Sequence, residues 1–382
     1  MTRKLHICFV TNEYPTSGES YGGIGTMVNF LSRAFAEQGH QVSVVGNYAK
    51  TGKQSLLEGK LTIYRLAKAR GTLAGYFNVK HIGKCIAKVH AENPIDVIEG
   101  PEWTFGFLKT PSGVKKVIRL HGGHHFFAHS ENRKTEWRKA IMERRSFSNA
   151  DHFIAVSDFV GKETNRLIDK KFDYTIIHNP IDMEQFYQAN TDKKVADRLV
   201  FVGSVVEKKG IRQLVQAMPK ILTAVPEAEL IVVGRHVNLP GTQTPYLPLL
   251  KKEISSDIAE RIKLKGPVPH TEVVSYIESG EVCVYPSHME ALPLAWLEVL
   301  AMGKPFIGSK TGPGAEVVND GKTGLLCDPH SPDDIAEKVI WMLKHKAEAA
   351  SIAKEARVDV QKRFDLEVLA KKNLDYFYSI TT

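Results

Sequence analysis

At 382 residues, with 43% hydrophobic and 25% charged residues, the chain has a soluble, globular composition and is too long for one ordinary core, so two domains are expected. Its formal charge of +8 is lopsided: residues 1–195 carry +9 and residues 196–382 carry −1. No apolar run is long enough to span a membrane, and the early LHICFV is too short for a signal-peptide core, so a cytoplasmic location is expected.

The predicted elements alternate from the start. A strand, LHICFVTN, runs into a glycine-rich turn (Gly22, Gly23, Gly25), and an amphipathic helix from about Met27 stops at Gly39. Strand-like runs QVSVVGN, DVIEG, KKVIRLHG, HFIAVS and YTIIHNP follow, separated by helical patterns. After Lys193 the series restarts with RLVFVGS, ELIVVG, IKLKGPV, VCVYPS and PFIGS. Short apolar β runs separated by helices predict two α/β domains with doubly wound parallel sheets. The expected division is 1–185 and 186–364, with a closing helix over about 365–382 that packs back on the first domain. The four cysteines show no metal-like or redox-like spacing, and Cys8 and Cys283 read as strand core in a reducing compartment.

The excess of cations in the first half includes Lys115/Lys116, Arg133/Lys134, Arg138/Lys139 and Arg144/Arg145. An anionic membrane surface and an ordinary solvated helix face account for them about equally. Nucleic acid is not expected, because no zinc-finger, RNA-recognition or helix-turn-helix pattern accompanies the charge.

Four constellations carry chemistry. The Gly22–Gly25 turn lets backbone amides approach a phosphate, but its spacing is not that of a dinucleotide fingerprint, and VVGN lacks the acid that would hold a ribose there. His121 ends a strand in RLHGGHH, on the side of a parallel sheet where ligands bind. In FVGSVVEKKG, Lys208 and Lys209 precede a helix, placed to neutralise a diphosphate. Lastly, SHMEALPLAWLEVLAMGKPFIG sets Glu290 just before a helix opened by Pro293 and closed by Gly303 and Pro305, and buries Glu298 within it. A buried carboxylate costs several kcal/mol or more unless it is partnered. Together with the helix start, it calls for a ligand bearing both phosphates and hydroxyls. The trailing NDGKTGLLC reads as a hairpin, and no pair of carboxylates spaced D-x-D is present to hold a metal.

In these motifs and their order, the whole chain resembles the retaining glycosyltransferases of family 4, glycosyl transferases group 1. The carriers are the GGIG turn, HG at His121, GSVVEKKG, PSHMEALPLAWLEVLAMGKPFI and GPGAEVVNDGKTGLLC. The resemblance implies the GT-B fold, with two Rossmann-like domains facing each other across a deep cleft, the first for the acceptor and the second for a nucleotide-sugar. It further implies that Lys209 binds the diphosphate, Glu298 the ribose hydroxyls and Glu290 the donor sugar. The amides of Leu292, Pro293 and Leu294 would border phosphate or sugar, with Gly23 close to the diphosphate. His121 would hydrogen-bond the sugar, and Val268 would lie beside the base. Two departures stand out: Ser204 replaces a usual arginine, leaving Lys208 or another basic residue to supply the charge, and the linker reads NPID (Asn179 to Asp182) in place of N-G-x-D.

The expected activity is thus metal-independent, retaining hexosyl transfer from a UDP-sugar, or a GDP-sugar, to a hydroxyl acceptor. The acceptor is expected to be a lipid-linked or cell-envelope polysaccharide glycan, met at the inner face of the membrane. No cofactor is expected beyond the donor. A GT-B sugar-nucleotide epimerase and a non-catalytic sugar-nucleotide-binding protein are the alternatives.

Overall fold

The computed structural model describes residues 3–15, 22–239 and 241–381. The chain divides into two compact units, Met1–Pro180 with Leu366–Thr382, and Ile181–Asp365.

The first unit contains β1 (His6–Val10), α1 (Gly23–Glu37), β2 (Gln41–Tyr48), β3 (Gly52–Leu56), β4 (Leu61–Ala67), α2 (Ala74–Glu92) and β5 (Val97–Gly100). It continues through β6 (Lys115–Leu120), α3 (His124–Ser130), α4 (Trp137–Asn149), β7 (His152–Ala155), α5 (Asp158–Ile168) and β8 (Thr175–Ile176). Its sheet has the order β3-β4-β2-β1-β5-β6-β7-β8. Every pairing is parallel except β3 with β4. β1 is buried at every position, as a strand covered on both faces must be, and this is why it reads as an apolar run after His6.

The second unit contains β9 (Arg198–Val202), α6 (Ile211–Ala224), β10 (Glu229–Val233), α7 (Leu247–Lys252), β11 (Ile262–Gly266), α8 (His270–Ser279) and β12 (Val282–Tyr285). After these come α9 (Leu294–Ala301), β13 (Phe306–Ser309), α10 (Gly314–Val317), β14 (Leu325–Cys327), α11 (Pro332–Lys344) and α12 (Lys346–Phe364). Its sheet runs β11-β10-β9-β12-β13-β14, parallel throughout. Leu199, Phe201, Leu214, Met218, Val282 and Val339 belong to its apolar core.

The chain then enters α13 (Leu366–Thr381), which belongs to the first unit. There the Phe377 ring meets Phe35 of α1 edge-on, and Asn373 accepts a hydrogen bond from Arg119 of β6. Arg119 also forms a fully buried two-point ion pair with Glu99 of β5, at 2.8 and 2.9 Å.

Three local expectations change. The helix expected from about Met27 begins at Gly23, so Gly23 and Gly25 lie in its first turn rather than ahead of it. A Cβ at Gly25 would fall 1.7 Å from the Glu13 carbonyl oxygen, which is why a helical position is glycine. The segment NDGKTGLLC is not a hairpin: a tight turn closed by Gly321 N–H to Gly324 carbonyl (2.9 Å) delivers β14 parallel to β13. Pro293 is the residue before α9 rather than its first helical one, with extended backbone (φ −80°, ψ 114°).

Candidate active site

In a doubly wound sheet, loops part at the carboxyl edge where the strand order reverses, and the gap receives ligands. In the second unit β9 pairs with both β10 and β12, so the loops leaving β9 and β12 flank that gap. Sequence motifs three and four occupy these two loops.

The β9 loop carries Ser204, Lys208 and Lys209, and turns into α6 at Gly210 (φ +69°). A Cβ on Gly210 would sit 1.8 Å from the Pro286 carbonyl oxygen, so glycine lets this loop lie directly on the one leaving β12. Two further bonds join the loops: His288 N–H donates to the Lys208 carbonyl at 2.8 Å, and the Thr311 hydroxyl donates to the His288 carbonyl at 2.9 Å. Thr311 follows β13, so three carboxyl-edge loops are held in one piece.

Across this seam the Lys209 ammonium forms an ion pair with the Glu290 carboxylate. Both side chains keep some access to solvent, 23% and 12%. Residues Leu292 and Leu294 are buried at the start of α9, with Pro293 between them. Within α9, Glu298 is buried among Trp296, Leu297, Val299 and Leu300. Val268 is half-buried in the loop after β11, further along the same carboxyl edge.

Arg235, which sequence reasoning passed over, lies just beyond β10. Its guanidinium Nε donates to the Ser204 hydroxyl at 3.3 Å, and its carbonyl accepts from Val205 N–H at 2.9 Å. The second unit therefore presents Lys209, with Lys208 before it, and Arg235 on neighbouring loops beside a helix start.

In the first unit β1 lies between β2 and β5, so the equivalent gap opens after β1 and β5. Gly23, exposed at the start of α1, follows β1; residues 16–21 of the expected glycine turn lie outside the described residues. His121 follows β6, half-buried, with its N–H on Glu102 Oε1 at 2.7 Å. Loss of solvent, together with the charge of Arg119, pushes the His121 ring down to about 3, so it is neutral at physiological pH.

The buried carboxyls beside it were not foreseen. Glu102 is pushed up to about 8 by burial and by the neighbouring Glu143, so it carries its proton near neutrality. Glu143 accepts from the N–H groups of His124 (2.8 Å) and His125 (3.0 Å) and contacts the His125 ring. A Cβ on Gly123 would strike the Glu143 carboxylate, so this glycine admits the acid to the start of α3. The only sequence signal was PEW after the strand DVIEG. Glu102 and Glu143 line a cavity of about 360 Å³ with Asn12, Asn47, Trp103 and Lys139. The Asn47 side-chain oxygen is buried there and has no hydrogen-bond partner among the described residues. A neutral carboxyl, amide groups and an indole are suited to a hydroxylated ligand.

Among the described residues, no group of three or more His, Cys, Asp or Glu side chains is placed to hold a metal ion, and no helix is long and apolar enough to cross a membrane. Cys8, Cys283 and Cys327 are buried free thiols and Cys85 is half-buried.

Comparison with known proteins agrees with this arrangement. Residues 21–185 match the model of Glycosyltransferase Family 4, and residues 182–359 that of Glycosyl transferases group 1. Glycogen synthase of Mycobacterium tuberculosis is 25% identical, over 96% of this chain and 92% of its own. Sucrose-phosphate synthase from Thermosynechococcus elongatus shares the fold with a TM-score of 0.83 at 21% identity, covering 99% of each chain. HepE of Anabaena, solved with UDP and glucose, gives 0.77 at 16%, covering 98% of this chain and all of that one (100%). The chain belongs to the glycosyltransferases of family 4 and group 1, and it has their GT-B fold of two Rossmann-like α/β halves.

Proposed function

We propose that this glycosyltransferase moves a sugar from a nucleoside-diphosphate-sugar, with UDP favoured over GDP, to a hydroxyl of a lipid-linked or cell-envelope polysaccharide acceptor. The observation that carries the reading is the Lys209–Glu290 pair at the carboxyl edge of the second unit, where β9 and β12 part. In the free protein each charge is neutralised by the other. A donor replaces both halves of that contact: its diphosphate takes the ammonium, and a sugar hydroxyl donates to the carboxylate. The diphosphate also meets the helix start, where the N–H groups of Leu292 and Leu294 carry partial positive charge. The bound UDP and glucose of HepE support this choice of ligand.

Glu298 is assigned to the ribose hydroxyls, Val268 to the edge of the base, and Gly23 to the diphosphate. His121, neutral, is assigned a hydrogen bond to the donor sugar. In the reaction the bond from the anomeric carbon to the diphosphate oxygen breaks, and the acceptor oxygen bonds to that carbon on the same face, retaining configuration. The acceptor proton passes to the departing diphosphate oxygen, so the electron pair and the proton leave with UDP. Lys209 and the amides of α9 stabilise the developing charge, a role that needs no metal. The first unit, with Glu102, Asn47 and Trp103 in its cavity, is the proposed acceptor side, and contact with an anionic membrane at the cytoplasmic face would bring a lipid-linked acceptor to it.

A thermal-shift panel of UDP-, GDP- and ADP-sugars tests the donor. Stabilisation by UDP-sugars that is lost in Lys209→Ala supports the assignment. Undiminished binding and transfer by Lys209→Ala would remove the diphosphate role. Release of an altered free sugar without acceptor would indicate an epimerase instead.

A further inference from the structure

On two helices of the first unit, large apolar side chains are exposed next to cations. On α4, Trp137, Arg138, Ile141, Arg144 and Arg145 face outwards, while Ala140, Glu143, Ser146 and Phe147 are buried. These outward positions are spaced i, i+1, i+4, i+7 and i+8, so they form one stripe of the helix. Trp137 is 67% and Ile141 51% exposed. The same pattern recurs on α2, where Tyr76 and Phe77 are exposed beside Lys80 and Lys84.

The two helices belong to one continuous face. Gly83 of α2 has its Cβ direction only 3.3 Å from the Lys109 carbonyl oxygen, and Gly106 has its own 2.6 Å from the Met142 carbonyl oxygen of α4. The loop between Gly106 and Lys109 is therefore clasped on both sides, and it holds up Phe107, 55% exposed, with the Arg145 guanidinium 4.9 Å over its ring. Charge on this face is one-sided. On the two helices Lys80, Lys84, Lys88, Arg138, Lys139, Arg144 and Arg145 are exposed, against Glu92 and Glu136, which lie beside Lys88 and Lys139 respectively.

Cations alone would fit any polyanion. Cations interleaved with an exposed indole, phenyl ring and Ile side chain fit a surface that is anionic outside and apolar a few ångströms deeper. We propose that the face formed by α2, the 106–109 loop and α4 docks on an anionic lipid bilayer. Trp137, Ile141 and Phe107 enter the headgroup–acyl boundary, and Arg138, Arg144 and Arg145 meet lipid phosphates. The inner sides of the same helices, Val79 and Ile82 on α2 and Met142 and Glu143 on α4, wall the 360 Å³ cavity. A membrane-anchored acceptor thus reaches the cavity from the docked face. That last clause rests on the glycosyl-transfer reading; the docking does not.

The test is co-sedimentation with vesicles of phosphatidylcholine alone or with about one-third phosphatidylglycerol, at low and high salt. The full chain is expected to bind only the anionic vesicles, and less as salt rises. R138Q/R144Q/R145Q should weaken binding about tenfold or more. W137S/I141S should weaken it too, and should abolish the blue shift of tryptophan emission on binding. Both variants should keep donor binding, since none of these residues is placed at the nucleotide site, and retained donor binding shows that they are folded. Three results would overturn the proposal: no binding to anionic vesicles, wild-type binding by both variants, or tighter binding to a single-stranded RNA of equal phosphate concentration. Vesicle binding without any nucleotide-sugar binding would refute the donor assignment and leave the docking intact.

Discussion

The Arg235 guanidinium donates to the hydroxyl of Ser204 at 3.3 Å, bringing a cation to the position where the resemblance to family 4 leads one to expect an arginine. The cation arrives from the next strand: β9 and β10 pair in parallel, so the turns that leave them run side by side. In the proposed site Arg235 restores the charge that Ser204 removes. Arg235→Ala should weaken UDP binding roughly tenfold, about 1.4 kcal/mol, by titration calorimetry. Ser204→Arg in that background should recover most of the loss. An unchanged affinity for Arg235→Ala would place the compensating cation elsewhere.

Glu298 is buried in α9 with apolar neighbours, and its proposed partner is a pair of ribose hydroxyls. Glu298→Gln keeps the shape and removes the charge that strengthens those hydrogen bonds. The donor KM should rise about tenfold with kcat falling far less, because the ribose stays put while the glycosidic bond changes. Glu290→Gln should do the reverse, lowering kcat by about a hundredfold. Steady-state kinetics on both variants separates the two roles, and equal effects on KM and kcat would contradict them.

How much of this was legible beforehand follows from where the signals lie. Strands such as HICFV and VCVY are covered on both faces, so burial writes itself as an apolar run. Strand β3, GKQSL, is almost wholly exposed at the sheet edge, and it was missed for the same reason. Lys209 and Glu290 could be named separately because each sits in a recognisable motif, but their contact spans 81 residues and is made by the fold. The Arg235–Ser204 bond and the meeting of Glu102 with Glu143 are of that second kind: ordinary residues far apart in sequence, joined by parallel pairing and helix packing.

The two perturbed groups beside the first unit's cavity make its stability depend on pH in two windows. Glu102 binds its proton up to about 8 when folded, against an ordinary 4.5. Between these values the folded state holds more protons than the unfolded, so stability falls as pH rises across them. His121 binds its proton only below about 3, against an ordinary 6.5. There the unfolded state holds more protons, and stability is lost as pH falls from 6.5 towards 3. Urea unfolding from pH 4 to 9 should show Glu102→Gln more stable than wild type at pH 8 by on the order of a few kcal/mol, and no more stable at pH 4. His121→Asn should flatten the acid limb. Parallel profiles for wild type and Glu102→Gln would refute the neutral carboxyl.

Arg119 offers a sharper test, because its partners come from three elements of the first unit. The guanidinium spans Glu99 of β5 and Asn373 of α13, and it also donates to the Ile177 carbonyl at 3.4 Å. Both members of the ion pair are about 1% exposed. Removing one partner strands a buried charge, which costs about 3 kcal/mol or more. Replacing both by apolar residues of similar size removes the charges together and costs much less. Glu99→Leu should therefore destabilise the first unit strongly, while Glu99→Leu with Arg119→Met should recover a large share. Asn373→Ala deletes one hydrogen bond to a charge and should lie between, at about 1.5–3 kcal/mol. Urea denaturation followed through hydrogen exchange of the α13 amides reads all three. If the double variant is no more stable than Glu99→Leu, the pair is held by packing around it and not by the balance of buried charge.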